Sequence, residues 1–276
     1  MKIHLNTTDG SDIPFRSIRE EGHKFTLVSF AYKNLVPFYE SAFRTDGQSE
    51  IILDSGAFTA WNAGKPVVLE NYAEWAIDFR ERNSQFLEKI RCVNLDVIPG
   101  SKGNSATPEQ LRTAAIDSAN NARVLRDAGI SISEVFHQDE SFDLLEEIVE
   151  RAEGTLICLS PRNDVSIQSR EQWLKHVCGW CHNRYGLSAM PRAHGLAVTS
   201  ERLLYSYPFY SADSSSWAVV LRFGQEQSLS KKLPRAGCRG YESGNMFALK
   251  QAIARYQRLE NLATKLWQRR GIVWDD

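Results

Sequence analysis

Short apolar runs alternate along this chain with segments of helical periodicity, and three of the runs end in a carboxylate. The three, at 51–54, 92–96 and 209–213, close on Asp54, Asp96 and Asp213. An apolar run of this length reads as a strand covered on both faces, the habit of parallel sheets flanked by helices. An acid at the carboxyl end of such a strand sits where the sheet or barrel opens to solvent, and ligands bind at that edge. Three acids reaching it from far apart in sequence point to one shared site.

Strands are expected over 2–6, 26–30, 51–54, 92–96, 133–137, 155–160, 194–198 and 209–213. Helical segments separate the later ones. Leu69, Tyr72, Trp75, Ala76 and Phe79 recur at helical spacing. Thr107, Pro108 and Gln110 have the order of an N-cap, a first-turn proline and a capping-box partner, with Gly129 near the stop. Ser169 and Gln172 repeat the capping-box spacing before Trp173, Val177 and Trp180. Phe142, Leu145, Val149 and Ala152 form another stripe, closed by Gly154. Alternating strands and helices predict an α/β protein, a (β/α)8 TIM-like barrel with a C-terminal helical extension; a doubly wound open sheet is the other topology this pattern allows.

Residues 222–245 are rich in Gly, Ser, Lys and Arg and read as loop. Residues 247–270 read as one long helix, with Leu249, Ile253, Tyr256, Leu259, Ala263 and Leu266 on one face. The expected organisation is a barrel over 1–221, and a basic loop with a long helix packed on that barrel over 222–276. The other face of the helix carries Arg255, Arg258, Lys265, Arg269 and Arg270 and reads as a solvated surface. Together with Lys231, Lys232, Arg235 and Arg239 it makes the last quarter of the chain basic.

A chain of 276 residues is of the size at which an α/β barrel forms one domain. Its net charge of −1 excludes a strongly basic protein, so contact with nucleic acid must come from a local patch. No apolar run approaches the roughly 18–20 residues that span a bilayer. The opening MKIHLNTTDG has no apolar signal core, and five cysteines without scaffold spacing fit a reducing compartment. A cytoplasmic protein without a membrane partner is expected.

The sharpest local pattern is Asp54-Ser55-Gly56-Ala57-Phe58. A strand ending in Asp, then a small flexible turn and an aromatic, exposes the carboxylate and lets a planar ligand approach the backbone. Asn94-Leu95-Asp96-Val97-Ile98-Pro99 places a second acid before a proline-stopped loop. Asp213 is followed by Ser214, Ser215 and Ser216, hydroxyls able to fix its orientation.

The stretch from Asp54 to Phe58 resembles the Asp-Ser-Gly-Gly-Phe motif of the tRNA-guanine transglycosylases, with Ala57 in place of the second glycine. The strand ends that follow keep that family's order. Asp96 closes the next strand, Gln138 follows the one after, and Ile157-Cys158-Leu159-Ser160 stands where a Gly/Leu-rich end belongs. Residues 194–203 resemble the seventh strand and the start of its helix, and Asp213 falls at the family's nucleophilic Asp. The Cys-rich zinc motif is missing, since only Cys238 lies beyond Asp213. In its compactness the chain looks like the short relatives from phages and bacterial modification clusters that place 7-deazaguanine bases into DNA.

The resemblance implies a transglycosylase that exchanges guanine in nucleic acid, DNA in preference to tRNA, for a 7-deazaguanine base. It implies Asp213 as nucleophile and Asp54 as proton donor and acceptor. It also implies Asp96 and Gln138 as readers of the base edge, backbone contacts from Leu159 and Ser160, and Phe58 as a stacking or wall residue beside Ser55. The reaction needs no cofactor or metal. Lys231, Lys232, Arg235 and Arg239 would track phosphates, and the sequence leaves open whether a partner protein gives access to duplex DNA. The residues agree with this chemistry, because a carboxylate opposite a leaving base can capture C1′ covalently while a second acid moves the proton.

A rival cluster, His176, Cys178, Cys181 and His182, lies on one predicted helix; its neighbours Trp173, Val177 and Trp180 favour a packed helix over a zinc site. His137 reads as a core histidine. No serine-hydrolase elbow or phosphate-cradling glycine loop occurs. Base exchange on tRNA, and a catalytically inactive barrel that only binds nucleic acid or a partner, are the alternatives to the DNA reading.

Overall fold

A computed structural model of the chain describes residues 1–43, 49–101, 103–218 and 241–274. Strands β1 (Lys2–Leu5), β2 (Phe25–Ser29), β3 (Glu50–Asp54), β4 (Ile90–Val93), β5 (Ile132–Ser133), β6 (Val135–His137), β7 (Leu156–Ser160), β8 (Arg192–Gly195) and β9 (Ser211–Ser214) lie parallel. They pair in the order β5-β4-β3-β2-β1-β9-β8-β7-β6. The two ends of that order, β5 and β6, are separated by Glu134 alone. Its carbonyl accepts from Cys158 N at 2.8 Å, and that of Ser133 accepts from Asn94 N at 2.9 Å. The ring therefore closes through one stave broken at Glu134, and eight staves make a TIM-like barrel. At the break the Glu134 carboxylate turns between two helices, pairing with Arg126 at 2.6 Å and Arg151 at 2.9 Å.

Helices follow the staves in turn. They are α1 (Ile13–Glu20), α2 (Val36–Phe43), α3 (Ala57–Ala63), α4 (Leu69–Arg82), α5 (Pro108–Asp127), α6 (Phe142–Ala152), α7 (Ile167–Tyr185), α8 (Glu201–Ser206) and α9 (Tyr241–Arg269). The Thr107 capping box forms as its spacing predicts: Thr107 Oγ1 accepts from Gln110 N, and Gln110 Oε1 accepts from Thr107 N. On α7 the cap is Ser166, which accepts from Ser169 N, so the helix starts ahead of the expected Ser169 box. The long C-terminal helix starts at Tyr241, inside the stretch expected as loop, and packs against α1, α8 and β1. That is the seat of the helix that follows the last strand of a (β/α)8 barrel. Leu249, Ile253, Leu259 and Ala263 are buried there, while Arg255, Arg258, Lys265, Arg269 and Arg270 are exposed.

Strand alternation divides the core. Ile51 and Leu53 join the outer cluster beneath the helices, whereas Ile52 meets Leu27, Val93, Val135 and Cys158 in the lumen. Below this apolar layer, Lys2 Nζ reaches Glu50 Oε1 at 2.6 Å and Tyr210 OH at 2.8 Å. Above it, the carboxyl ends of the strands turn polar.

Candidate active site at the barrel mouth

Asp54 ends β3, paired in register with Ser29 of β2. Its Oδ2 accepts from Gly56 N at 3.1 Å. Gly56 has φ +77° and caps α3 in the left-handed region. A side chain there would come within 3.0 Å of Ala31 N and 3.1 Å of Ser29 Oγ. The turn after Asp54 thus needs glycine because the protein's own 29–31 segment packs against it. Ser55 turns fully inside, its hydroxyl 3.4 Å from Ala57 N, which removes it from the predicted binding set.

Asp96 lies past the end of β4 rather than on it. Helix α5 holds this loop in place. Asn121 Nδ2 donates to Leu95 O at 2.8 Å, Val97 N to Ser118 Oγ at 2.8 Å, and Asn94 Nδ2 to Ser118 O at 2.9 Å. From α4, the Tyr72 hydroxyl lies 2.6 Å from Val93 O and 3.2 Å from Leu53 O, tying the tops of β3 and β4 together.

Asp213, on β9, has both oxygens engaged: Oδ1 accepts from Ala197 N at 2.7 Å and Oδ2 from Asn6 Nδ2 at 3.1 Å. Ala197 adopts φ +54°, a costly region for a residue with a Cβ, and that conformation directs its N–H to the carboxylate. His194 Nε2 stands 3.5 Å from Oδ1, with Nδ1 2.8 Å from Ser211 Oγ. The serines after Asp213 do not orient it. Ser214 Oγ lies 2.9 Å from Tyr256 OH and accepts from Ser216 N at 3.1 Å.

The three acids share one electrostatic neighbourhood. Burial pushes Asp54 up to about 6, and the charges of Asp96 and Asp213 add in the same direction. In the lumen beneath, burial pushes the Cys158 thiol well above its ordinary range, and Asp96, Asp54 and Asp213 all raise it further. Carboxylates that start on β3, after β4 and on β9 therefore act on one another and on the thiol beneath them.

His137, at the end of β6, joins this group. Its Nε2 lies 2.8 Å from Asp96 Oδ2, its backbone N–H donates to Glu140 Oε2 at 2.6 Å, and its Nδ1 stands 3.5 Å from Glu140 Oε1. Desolvation acts to lower its pKa. The hydrogen bonds and charges of Asp96 and Glu140 outweigh that and raise it to about 10. Beside it opens a cavity of about 480 Å³, lined by Phe58, Trp61, Pro99, His137, Gln138 and Ser160 among others. Phe58, 47% exposed, stacks on Trp61 at 6.0 Å and 28°. The three carboxylates are not among the lining residues; His137, which does line the cavity, bonds one of them, Asp96. Arg162 braces the rim, bonding Asp164 at 2.9 Å and Asn104 O at 3.2 Å, while Gly103 N donates to Asp164.

One base-contact expectation changes. Gln138 lines the cavity, but its amide braces loops: Nε2 donates to Ser169 Oγ at 3.1 Å and Oε1 accepts from Arg162 N at 3.1 Å. At Leu159 and Ser160 the carbonyls accept from Leu196 N and Gln138 N, at 3.0 and 3.1 Å, as part of the barrel ladder. Lys231, Lys232, Arg235 and Arg239 lie outside the described residues. On α7, His176 and His182 are exposed while Cys181 is buried, and no metal-holding cluster occurs among the described residues. Among the same residues no helix is long and apolar enough to cross a membrane.

No family model and no curated protein matches the chain. Among solved structures it is similar to an L-ribulose 3-epimerase, at 11% identity and a TM-score of 0.43, over 98% of this chain and 96% of that one. It is also similar to a D-psicose 3-epimerase with D-tagatose from Clostridium cellulolyticum H10, at 10% identity and a TM-score of 0.42, over 93% and 99%. Likeness at that level carries no argument about chemistry.

Proposed function

We propose that this protein is a transglycosylase that exchanges guanine in nucleic acid, DNA by preference, for a 7-deazaguanine base. The reading draws on the resemblance around Asp54 to the tRNA-guanine transglycosylases. The observation that carries it is that Asp54, Asp96 and Asp213 act on one another's surroundings at the carboxyl ends of the strands, with Asp54 raised towards neutrality by burial and by the charges of the other two.

In the first half-reaction an Asp213 oxygen attacks C1′ of the flipped nucleotide as the bond to guanine N9 breaks. Asp54 supplies the proton for the departing base. In the second, the incoming 7-deazaguanine gives its N9 proton to Asp54 and attacks C1′, releasing the Asp213 carboxylate. Asn6 and Ala197 N hold Asp213 in one orientation and stabilise it as the leaving group of this second step. The Phe58–Trp61 pair gives the cavity an aromatic wall suited to a planar base.

The test is incubation of the protein with labelled 7-deazaguanine and either duplex DNA or tRNA. Wild-type protein is expected to label DNA and to form an adduct with it that survives denaturing electrophoresis. Asp213→Ala should form none and lose exchange by about a thousandfold or more. Normal exchange by that variant removes the mechanism, and labelling confined to tRNA moves the substrate.

A further inference from the structure

We infer that His137 is a positioning residue: clamped between Asp96 and Glu140, it fixes the Asp96 carboxylate so that its second oxygen, Oδ1, faces the incoming base. This rests on the proposed base exchange and deepens it.

The argument is geometric. Asp96 leaves β4 on a loop, where a carboxylate would rotate freely about χ2. His137 occupies Oδ2 at 2.8 Å, and among the described residues Oδ1 has no hydrogen bond. Glu140 Oε2 takes the His137 backbone N–H, which anchors the residue at the end of β6, while Glu140 Oε1 faces the ring's other side as a charge 3.5 Å from Nδ1, without a hydrogen bond. His137 also lines the large cavity, which places the array between the acids and the space for the base. Gln138 is engaged with Ser169 and Arg162, which leaves Asp96 as the free side-chain acceptor of this pair.

The groups that face the array are few. Glu140 comes from the same loop and Asp96 from the neighbouring stave, with Asp54 one stave beyond; Asp139, beside it in sequence, pairs outward with Arg162. Tyr72 and Cys158, both influenced by Asp96, stay neutral because burial pushes each upward. Loss of Glu140's charge is therefore the cleanest way to loosen the clamp without changing its shape.

The experiment pairs two readouts on Glu140→Gln and His137→Leu. Ring-nitrogen NMR of His137 is expected to show a charged imidazole through pH 8 in wild type, and a titration midpoint below about 9 in Glu140→Gln. Base exchange at saturating polymer is expected to show the KM for the base raised about tenfold or more in His137→Leu and severalfold in Glu140→Gln. The KM for the polymer should stay unchanged, a split that simple loss of folded protein would not produce. A neutral His137 at pH 7, or an unchanged base KM in His137→Leu, overturns the inference while leaving the exchange reaction standing. Wild-type protein that exchanges no base overturns that reaction and this inference with it.

Discussion

Asp54 carries the clearest pH signature of the site. Its pKa in the folded protein, about 6, stands above the ordinary carboxylate value of 3.8. A group raised in this way favours the fold most when protonated, and that contribution is lost as pH rises from about 4 through 6. Asp54→Asn should accordingly be more stable than wild type at pH 8, by roughly 1–3 kcal/mol, with the advantage gone at pH 4. Denaturant melts at both pH values check the sign. The wild-type exchange rate should also bend near pH 6, and Asp54→Asn should not exchange. At this scale the sequence exposed Asp54, Asp96 and Asp213, because each ends or follows an apolar run. It could not expose Asn6, Ala197 or His137: their partners lie far along the chain, and a lone Asn, Ala or His has no local pattern. Ser55 went the other way: motif position does not reveal that a hydroxyl has turned inward.

Among the elements, β8 shows how tightly strand and site are coupled. Gly195 ends this strand, and a Cβ there would lie 2.9 Å from both Phe209 Cε1 and Val198 Cβ. Neither ring nor branched carbon can retreat, since both are buried. Gly195→Ala is expected to cost roughly 1–3 kcal/mol in urea melts. Exchange should fall further than stability accounts for, because Ala197, which holds Asp213, lies two residues on. Apolar runs located every stave, but their ends slid. The run at 194–198 became Arg192–Gly195, and 133–137 split at a glutamate drawn outward by two arginines. Hydrophobicity marks what is buried, whereas strand limits are set by backbone pairing. The first two helices, α1 and α2, escaped notice because each is 8 residues long and has a proline in its opening turn, too short to show a period.

At the scale of the whole molecule, α9 makes the barrel one unit. Ala248, Leu249, Ala252 and Ile253 share a core cluster with Ile3 and Leu5 of β1. Trp267 Nε1 donates to Leu204 O at 2.9 Å, and Ile3 N to Glu260 Oε2 at 2.9 Å. A chain ending at residue 218 would leave that face of β1 bare. It should show no cooperative thermal transition and should be digested by protease under conditions that spare the full chain; a sharp melt of the fragment would refute this. The barrel architecture was legible because strand and helix periods alternate throughout. The seat of α9 was not, because nothing local says which neighbours a long amphipathic helix will cover.

Within the lumen, the aliphatic layer of Leu27, Ile52, Val93 and Val135 separates Asp54 and Asp96 from the charges at the foot of the barrel. Towards β1 and β8 that insulation gives way to two histidines, His4 and His194, whose rings meet edge to face at 5.6 Å. His4 feels Lys2 and Arg91 below, and His194 reaches up to Asp213. Asp213 thus faces a histidine path towards the barrel's far end while Asp54 sits over the aliphatic layer, so substitutions at His4 or His194 and substitutions in that layer would reach the two carboxylates by different routes.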